Sequence, residues 1–411
     1  MKFPIRLVLM LAIGLLINYV DRGTLSIAAP LIEKDLGLSP VEMGWVQSAF
    51  FWAYVLFQPV SGWLADRVGA TRVLAAGFAL WSSATVLAGF STDAGSLVAL
   101  RLLMGIGESS FYPCAVNLLA SRVEDPHRTR ATGVVAFGAV VGPALGTFAG
   151  GLIMVRFGWQ AMFISLGLAS FLWLLPWLAR VRRERAGQAT RPPAAGPSIG
   201  AVLSQPALWC VMLGVFCSNY AFFFVFTTLP LYLVQDRGLS LIDMTELTSW
   251  VYVADGASVL VTAWLLDAWI RRGASFNRAY KTTLVASALG VGACLLACTG
   301  AGMSAAVFLL VLLGFMDGLN SPTTPAVAQK FAGPVAGGRW MGLQNAVANL
   351  SGVAAPLVSG YSKQATGHYT AALFVAGIIA CVGACIWLFI VPTVRTVDWS
   401  RHSVREGHSF I

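Results

Sequence analysis

ARVRRERAGQATRPPAAGPSIG, residues 179–200, is the one long polar stretch in a chain of 411 residues. Its Arg, Pro, Gly and Ala content makes a linker rather than a packed core. On both sides the sequence falls into apolar runs of about 20 residues, the length that crosses ~30 Å of hydrocarbon as a helix. Six runs precede it: 5–33, 43–64, 72–92, 95–121, 128–153 and 157–178. Six follow: 206–234, 247–270, 280–299, 303–329, 338–361 and 369–391. The expected fold is an all-α integral membrane protein of about twelve transmembrane helices in two pseudo-symmetric six-helix bundles. The bundles span 1–178 and 206–392. A cytoplasmic linker, 179–205, joins them, and a cytoplasmic tail, 393–411, follows.

Composition points to lipid as the solvent. Hydrophobic residues make up 57% and charged residues 11%, against about 25% charged in ordinary soluble domains. Mean hydropathy is +0.74. A soluble globule has too little polar surface to cover this much apolar area. The first run, with Lys2 and Arg6 ahead of it, is followed by Asn18, Tyr19, Asp21 and Arg22 and not by a small-residue cleavage site. It reads as a helix and not a signal peptide. All seven cysteines lie in apolar stretches, where packing is their default role.

Charge sets the orientation. With the N-terminus inside, only Lys34, Arg156, Arg237 and Lys363 fall in outer loops, and Arg22 and Arg101 fall within helices. The rest of the 27 Lys and Arg are cytoplasmic, as the positive-inside rule requires. The +9 net charge is therefore a topology signal and not a nucleic-acid footprint, since no basic face carries interleaved aromatics. A weak repeat relates the halves: Trp63-Leu64-Ala65-Asp66-Arg67 follows the second run, and Trp264-Leu265-Leu266-Asp267 follows the eighth. Two related halves with a midplane binding site are the usual build of a secondary transporter.

Gly62-x-x-x-Asp66-Arg67-x-Gly69-x-x-Arg72 resembles the loop signature of the major facilitator superfamily. Its glycines permit a tight turn, and the acid and arginines can pair as a gating latch; the alternative is plain topology charge. Gly138, Gly142, Gly146 and Gly150 recur every four residues beside Pro143. Such a stripe lets another helix approach closely. It also resembles the antiporter motif of the same superfamily, which keeps an export reading open.

Asp21, Arg22, Arg101 and Glu108 lie inside predicted membrane helices. Intramembrane charges are expensive and usually face a cavity. Two arginines suit a substrate carboxylate, because a guanidinium binds it through two hydrogen bonds. An acid whose proton depends on the occupancy of a neighbouring arginine would couple transport to protons. The alternative is an internal salt bridge. No enzyme motif is present: Gly105-Ile106-Gly107-Glu108 lacks a third glycine and a preceding strand. Catalytic and metal-ligating residues are expected to be absent, as is any cofactor beyond the coupling protons.

Asn18-Tyr19-Val20-Asp21-Arg22, the run Gly44 to Tyr54, Arg101-x-x-x-Gly105-x-x-Glu108, and Gly342-Leu343-Gln344-Asn345 through Asn349 to Gly352 are similar to the anion:cation symporter family. That branch includes sugar-acid carriers of the galactonate type. The resemblance implies that Arg22, Tyr54 and Arg101 contact an organic anion, with Asn345 and Asn349 contributing from the second half. It implies proton-carrying roles for Asp21 and Glu108. An Asn pair can also serve as helix–helix glue. Asn320-Ser321-Pro322-Thr323-Thr324-Pro325 stands where the family leads one to expect an aromatic, and Asp255 and Asp317 are acids outside its pattern. If both acids face the cavity, the substrate carries an amine as well as a carboxylate; otherwise they bond locally.

The sequence therefore predicts a proton-coupled symporter importing a small organic anion, working as a monomer in a bacterial inner membrane with both termini cytoplasmic. A proton-driven exporter is the first alternative. A non-transporting membrane sensor, which would bind ligand without accumulating it, is the second, and a carrier of organic zwitterions using Asp255 and Asp317 is a further one.

Overall fold

A computed structural model describes residues 4–183 and 197–399. Lys2, the linker arginines Arg185 and Arg191, and Arg401 and Arg405 of the tail lie outside the described residues. Among the described residues there are helices and no strands. They run in the order α1 Ile5–Leu36, α2 Pro40–Leu64, α3 Ala70–Ala88, α4 Ala94–Glu108, α5 Phe111–Arg122, α6 Asp125–Arg183 and the short α7 Ile199–Leu203. Then come α8 Pro206–Gln235, α9 Leu241–Arg271, α10 Phe276–Cys298, α11 Met303–Gly318, α12 Asn320–Thr366 and α13 Thr370–Cys385.

Seven helical stretches among the described residues are long and apolar enough to cross a membrane. Several are far longer than one crossing: Pro40–Ala88 has 49 residues and Arg130–Arg182 has 53, against the ~20 a bilayer needs. Glycine supplies the breaks. The 59-residue α6 departs from helical geometry at Gly158, φ 86°, and the 47-residue α12 at Gly333, φ 61°. Side chains with a Cβ rarely adopt such angles. A five-residue π-turn, Ala65–Gly69, joins α2 to α3.

Two predicted runs are divided, 303–329 at Leu319 between α11 and α12 and 95–121 likewise. The stretch 95–121 is two helices, α4 and α5, separated at Ser109–Ser110. Ser109 Oγ donates to the Ile106 carbonyl and Ser110 Oγ to the Gly107 carbonyl, each at 2.7 Å. Such side-chain bonds compete with the helical ladder, and Pro113 has no N–H to offer the Ser109 carbonyl.

The chain forms two compact units. Among the described residues the first holds 4–183 with 224–253 and 353–372. Its core is aromatic: Phe78 stacks on Trp173 at 4.1 Å, and Trp173 on Trp177 at 4.9 Å. Both buried indoles are satisfied, Trp173 by the Met10 carbonyl at 2.8 Å and Trp177 by that of Thr71 at 2.9 Å. The glycine stripe of α6 is the bed on which α1 lies. A Cβ added at Gly142 would stand 2.6 Å from Tyr19 Cβ, and one at Gly146 2.8 Å from Val20 Cα. The stripe is therefore occupied by packing, and its spacing sets where the middle of α1 sits.

At the end of this unit remote from Asp66, backbones of α1 and α2 meet those of α8 and α12. Ser26 Oγ donates to the Phe226 carbonyl, and Gln47 Nε2 donates to that of Thr227 at 3.1 Å. Gln235 Nε2 donates to Glu33. A Cβ at Gly44 would stand 2.8 Å from the Pro356 oxygen. Lys363 pairs with Asp236 at 2.7 Å. That end is shut.

Among the described residues the second unit holds 197–223, 254–352 and 373–399. Trp340 and Trp387 are fully buried in its core, and Phe331 stacks on Trp340 at 5.6 Å.

Candidate functional site

The first unit gathers the charges of α1 and α4. The close approach of α4 to α2 at Gly105, where a Cβ would meet Tyr54 N at 3.1 Å, brings Arg101 and Glu108 beside Phe50 and Tyr54. Arg22 Nε donates to Glu108 Oε2 at 2.7 Å, both side chains being buried. The Arg22 guanidinium also lies 4.5 Å from the Tyr54 ring centroid, 5.0 Å from Phe50 and 5.1 Å from Tyr19. Aromatic faces favour a desolvated cation, so this cage holds the charge where lipid-depth burial alone would expel it.

Arg101 is placed differently. It is 4% exposed and lies 4.9 Å over the other arginine's neighbour, Phe50. Its Nη1 reaches only the sulfur of Met104, at 3.8 Å on its own helix. Its Nε has no hydrogen-bond partner. Among the described residues it makes no ion pair. Arg101 and Glu108 lie seven residues apart on one helix, yet the structure gives Glu108 to Arg22 and leaves Arg101 Nε without an acceptor.

Asp21 is fully buried. Its Oδ2 accepts from Trp81 Nε1 at 3.1 Å and from Ser170 Oγ at 3.4 Å. Its Oδ1 has no partner, nor has Oε1 of Glu108. The Asn18 amide faces the Glu108 carboxyl without a bond of normal geometry. Two acids and two guanidiniums are thus buried in one unit, both guanidiniums lying over Phe50.

Sequence reading missed Phe50, Trp81 and Ser170. Each sits in an apolar run, and nothing local marks it. It also missed Asn117, whose Nδ2 donates to Asp66 at 2.9 Å. Asp66 makes no ion pair among the described residues; Arg67 stacks on Trp63 at 4.5 Å, and Arg72 is exposed.

In the second unit, Asn349 Nδ2 donates to the Asn345 carbonyl at 2.8 Å, a turn back along its own helix. Asp255 on α9 and Asp317 on α11 lie within electrostatic reach of each other. No group of three or more metal-ligating side chains is gathered among the described residues.

Residues 11–335 match the sequence pattern of the Major Facilitator Superfamily. A hexuronate transporter of Bacillus subtilis (strain 168) is 30% identical over 410 residues, which cover 96% of this chain and 95% of the relative. A D-galactonate transporter of Escherichia coli O6:H1 is 28% identical, covering 94% and 95%. A probable sulfoacetate transporter of Cupriavidus necator is 29% identical, covering 95% of each. In fold, the chain is similar to a bacterial homologue of the human lysosomal transporter Spinster, crystallised inward-facing and unoccupied. The TM-score is 0.80 at 15% identity, over 96% of this chain and 98% of the other.

Proposed function

Because this chain belongs to the Major Facilitator Superfamily, we propose that it imports a small organic anion, a sugar acid or related carboxylate, together with protons by alternating access. It is a membrane transporter and not an enzyme. The proposal includes a monomer in a bacterial inner membrane, both termini cytoplasmic, built as six-helix halves 1–178 and 206–392 with linker 179–205 and tail 393–411. Relatives named for hexuronate, D-galactonate and sulfoacetate support an anionic cargo.

The observation that carries the reading is Arg101: buried, stacked on Phe50, and without a carboxylate of its own. A cargo carboxylate supplies the missing acceptor through two parallel hydrogen bonds. Arg22 and Tyr54 extend the same surface. Proton coupling follows from competition. An anion that engages Arg22 displaces Glu108, and a buried carboxylate that has lost its guanidinium has to be neutralised. A proton does this, and returns to water when cargo leaves and the Arg22–Glu108 pair closes again. Asp21, held by Trp81 and Ser170, is the second acid of that exchange. Asn345 and Asn349 bind cargo from their own half, and Asp66, Arg67 and Arg72 gate the opposite end.

The test is Arg101→Lys. A point charge cannot reproduce the planar fork, so calorimetry against a panel of sugar acids should show affinity reduced by roughly tenfold or more, the worth of one charged hydrogen bond. Binding within about twofold of wild type, below ~0.5 kcal/mol, would remove Arg101 from the site.

A further inference from the structure

We propose that Asp255 and Asp317 form a site for a monovalent cation, with the Ser258 hydroxyl adding an oxygen ligand. The proposal rests on the transport reading above and extends it to a second charge.

The placement starts from helix faces. On α9, the exposed apolar residues Val253, Leu260 and Trp264 make a lipid-compatible stripe. Asp255, Ser258 and Thr262, spaced three and four apart, fall on the opposite side. On α11, Ala306, Leu310 and Leu313 are buried, and Asp317 continues that stripe one turn on. The two helices touch where the acids are: a Cβ on Gly318 would stand 2.8 Å from Ser258 Cβ and closer still to the Asp255 carbonyl. Asp255 and Asp317 therefore lie beside one backbone-close contact, within electrostatic reach of each other.

Nothing in the described chain neutralises them. Neither acid makes an ion pair or accepts a side-chain hydrogen bond. Two apposed carboxylates at membrane depth are costly without a counter-charge. The Ser258 hydroxyl, one turn from Asp255, points to what supplies it. Ser258 is 0% exposed, and its oxygen has no hydrogen-bond partner. A shared proton would leave that oxygen idle. Carboxylates with hydroxyls are hard oxygen donors, which suit sodium; the same set accepts the N–H groups of an ammonium. The cation comes either as free sodium, making the coupling ion more than a proton, or as an amino group on the cargo.

The experiment uses the purified full chain in detergent and follows its unfolding temperature. One arm replaces N-methyl-D-glucamine chloride with sodium chloride at constant ionic strength. The other compares D-gluconate with 2-amino-2-deoxy-D-gluconate, and glycolate with glycine. A saturable rise with sodium assigns the first source; tighter binding of the amino member assigns the second. In either case Asp255→Asn and Asp317→Asn should each weaken the response by roughly tenfold to a hundredfold, the loss of one charged partner. Arg101→Lys should leave the sodium response intact, so failure of the anion site is told apart from failure of this one. No wild-type response in either arm, which requires no variant, overturns the proposal. So does a response that survives both Asn substitutions, leaving the pair to share a proton.

Discussion

Gly44→Ala tests whether the shut end of the first unit has to open during transport. An added Cβ would stand 2.8 Å from the Pro356 carbonyl oxygen, where ordinary contact begins at 3.4 Å. The helices α2 and α12 must therefore part by at least about 0.6 Å, well beyond what a packed interior absorbs without cost. The obstacle is backbone, and the neighbouring Gly360 presses on the backbone of Pro40, so no flexible side chain can yield. Overpacking of this kind costs ~1–3 kcal/mol. The whole cost falls on the shut state, because the methyl is free once the end opens. Opening should become about 5- to 150-fold more favourable. The reporter is Thr228→Cys in a cysteine-free background: Thr228 is 1% exposed and its hydroxyl bonds Ser359 at 2.9 Å. Maleimide labelling should accelerate in proportion while uptake slows. Gly342→Ala, where an added Cβ meets nothing within 4 Å, is the control. If labelling and uptake at Gly44→Ala match that control, the shut end is a permanent wall and the alternating-access argument fails.

Glu108→Gln mimics a carboxyl that never gives up its proton; exchange of labelled for unlabelled cargo should persist while accumulation driven by a proton gradient is lost. Wild-type accumulation in proteoliposomes would take Glu108 out of the proton path. Asp66→Asn keeps the size of the side chain but weakens its bond from Asn117, and should slow transport with cargo affinity nearly unchanged; an unaltered rate would reduce Asp66 to a topology charge. At the loop before α4, the Ser96 N–H bonded to Asp93 holds that carboxyl below its usual range. The cap's contribution is thus present above the ordinary carboxyl pKa and fades as pH falls through the lower folded value. Protection of the Ser96 amide, corrected for the intrinsic pH dependence of exchange, should fall over that acidic window in wild type and stay flat in Asp93→Asn. Equal profiles for the two would refute the cap.

The membrane fold was legible because lipid imposes a length and an apolarity on every crossing, and both are local properties of a run such as 369–391. The Gly138–Gly150 stripe was legible as a close-approach surface for the same reason: its period lies within one helix. Partners were harder. Arg22 and Glu108 stand 86 positions apart, and nothing in Arg101-x-x-x-Gly105-x-x-Glu108 says which arginine the acid will choose. Trp81 and Phe50 sit among apolar residues like any others, since an indole N–H aimed at Asp21 leaves no trace in composition. The division of 95–121 at Ser109–Ser110 was missed because hydropathy cannot see a hydroxyl turned back on its own backbone.

The α6 bed has a consequence for inheritance. A glycine can change only by growing, so every missense substitution at Gly142 or Gly146 places an atom where the α1 chain already lies. Most interior positions of a protein offer evolution some neighbour of similar bulk through which to drift; these offer none. A saturation library read out by growth should therefore display a comb of intolerance along α6, with teeth four residues apart at 138, 142 and 146. Tolerance should return between the teeth, at outward-facing Phe137, Leu145 and Phe148, where a lineage remains free to wander.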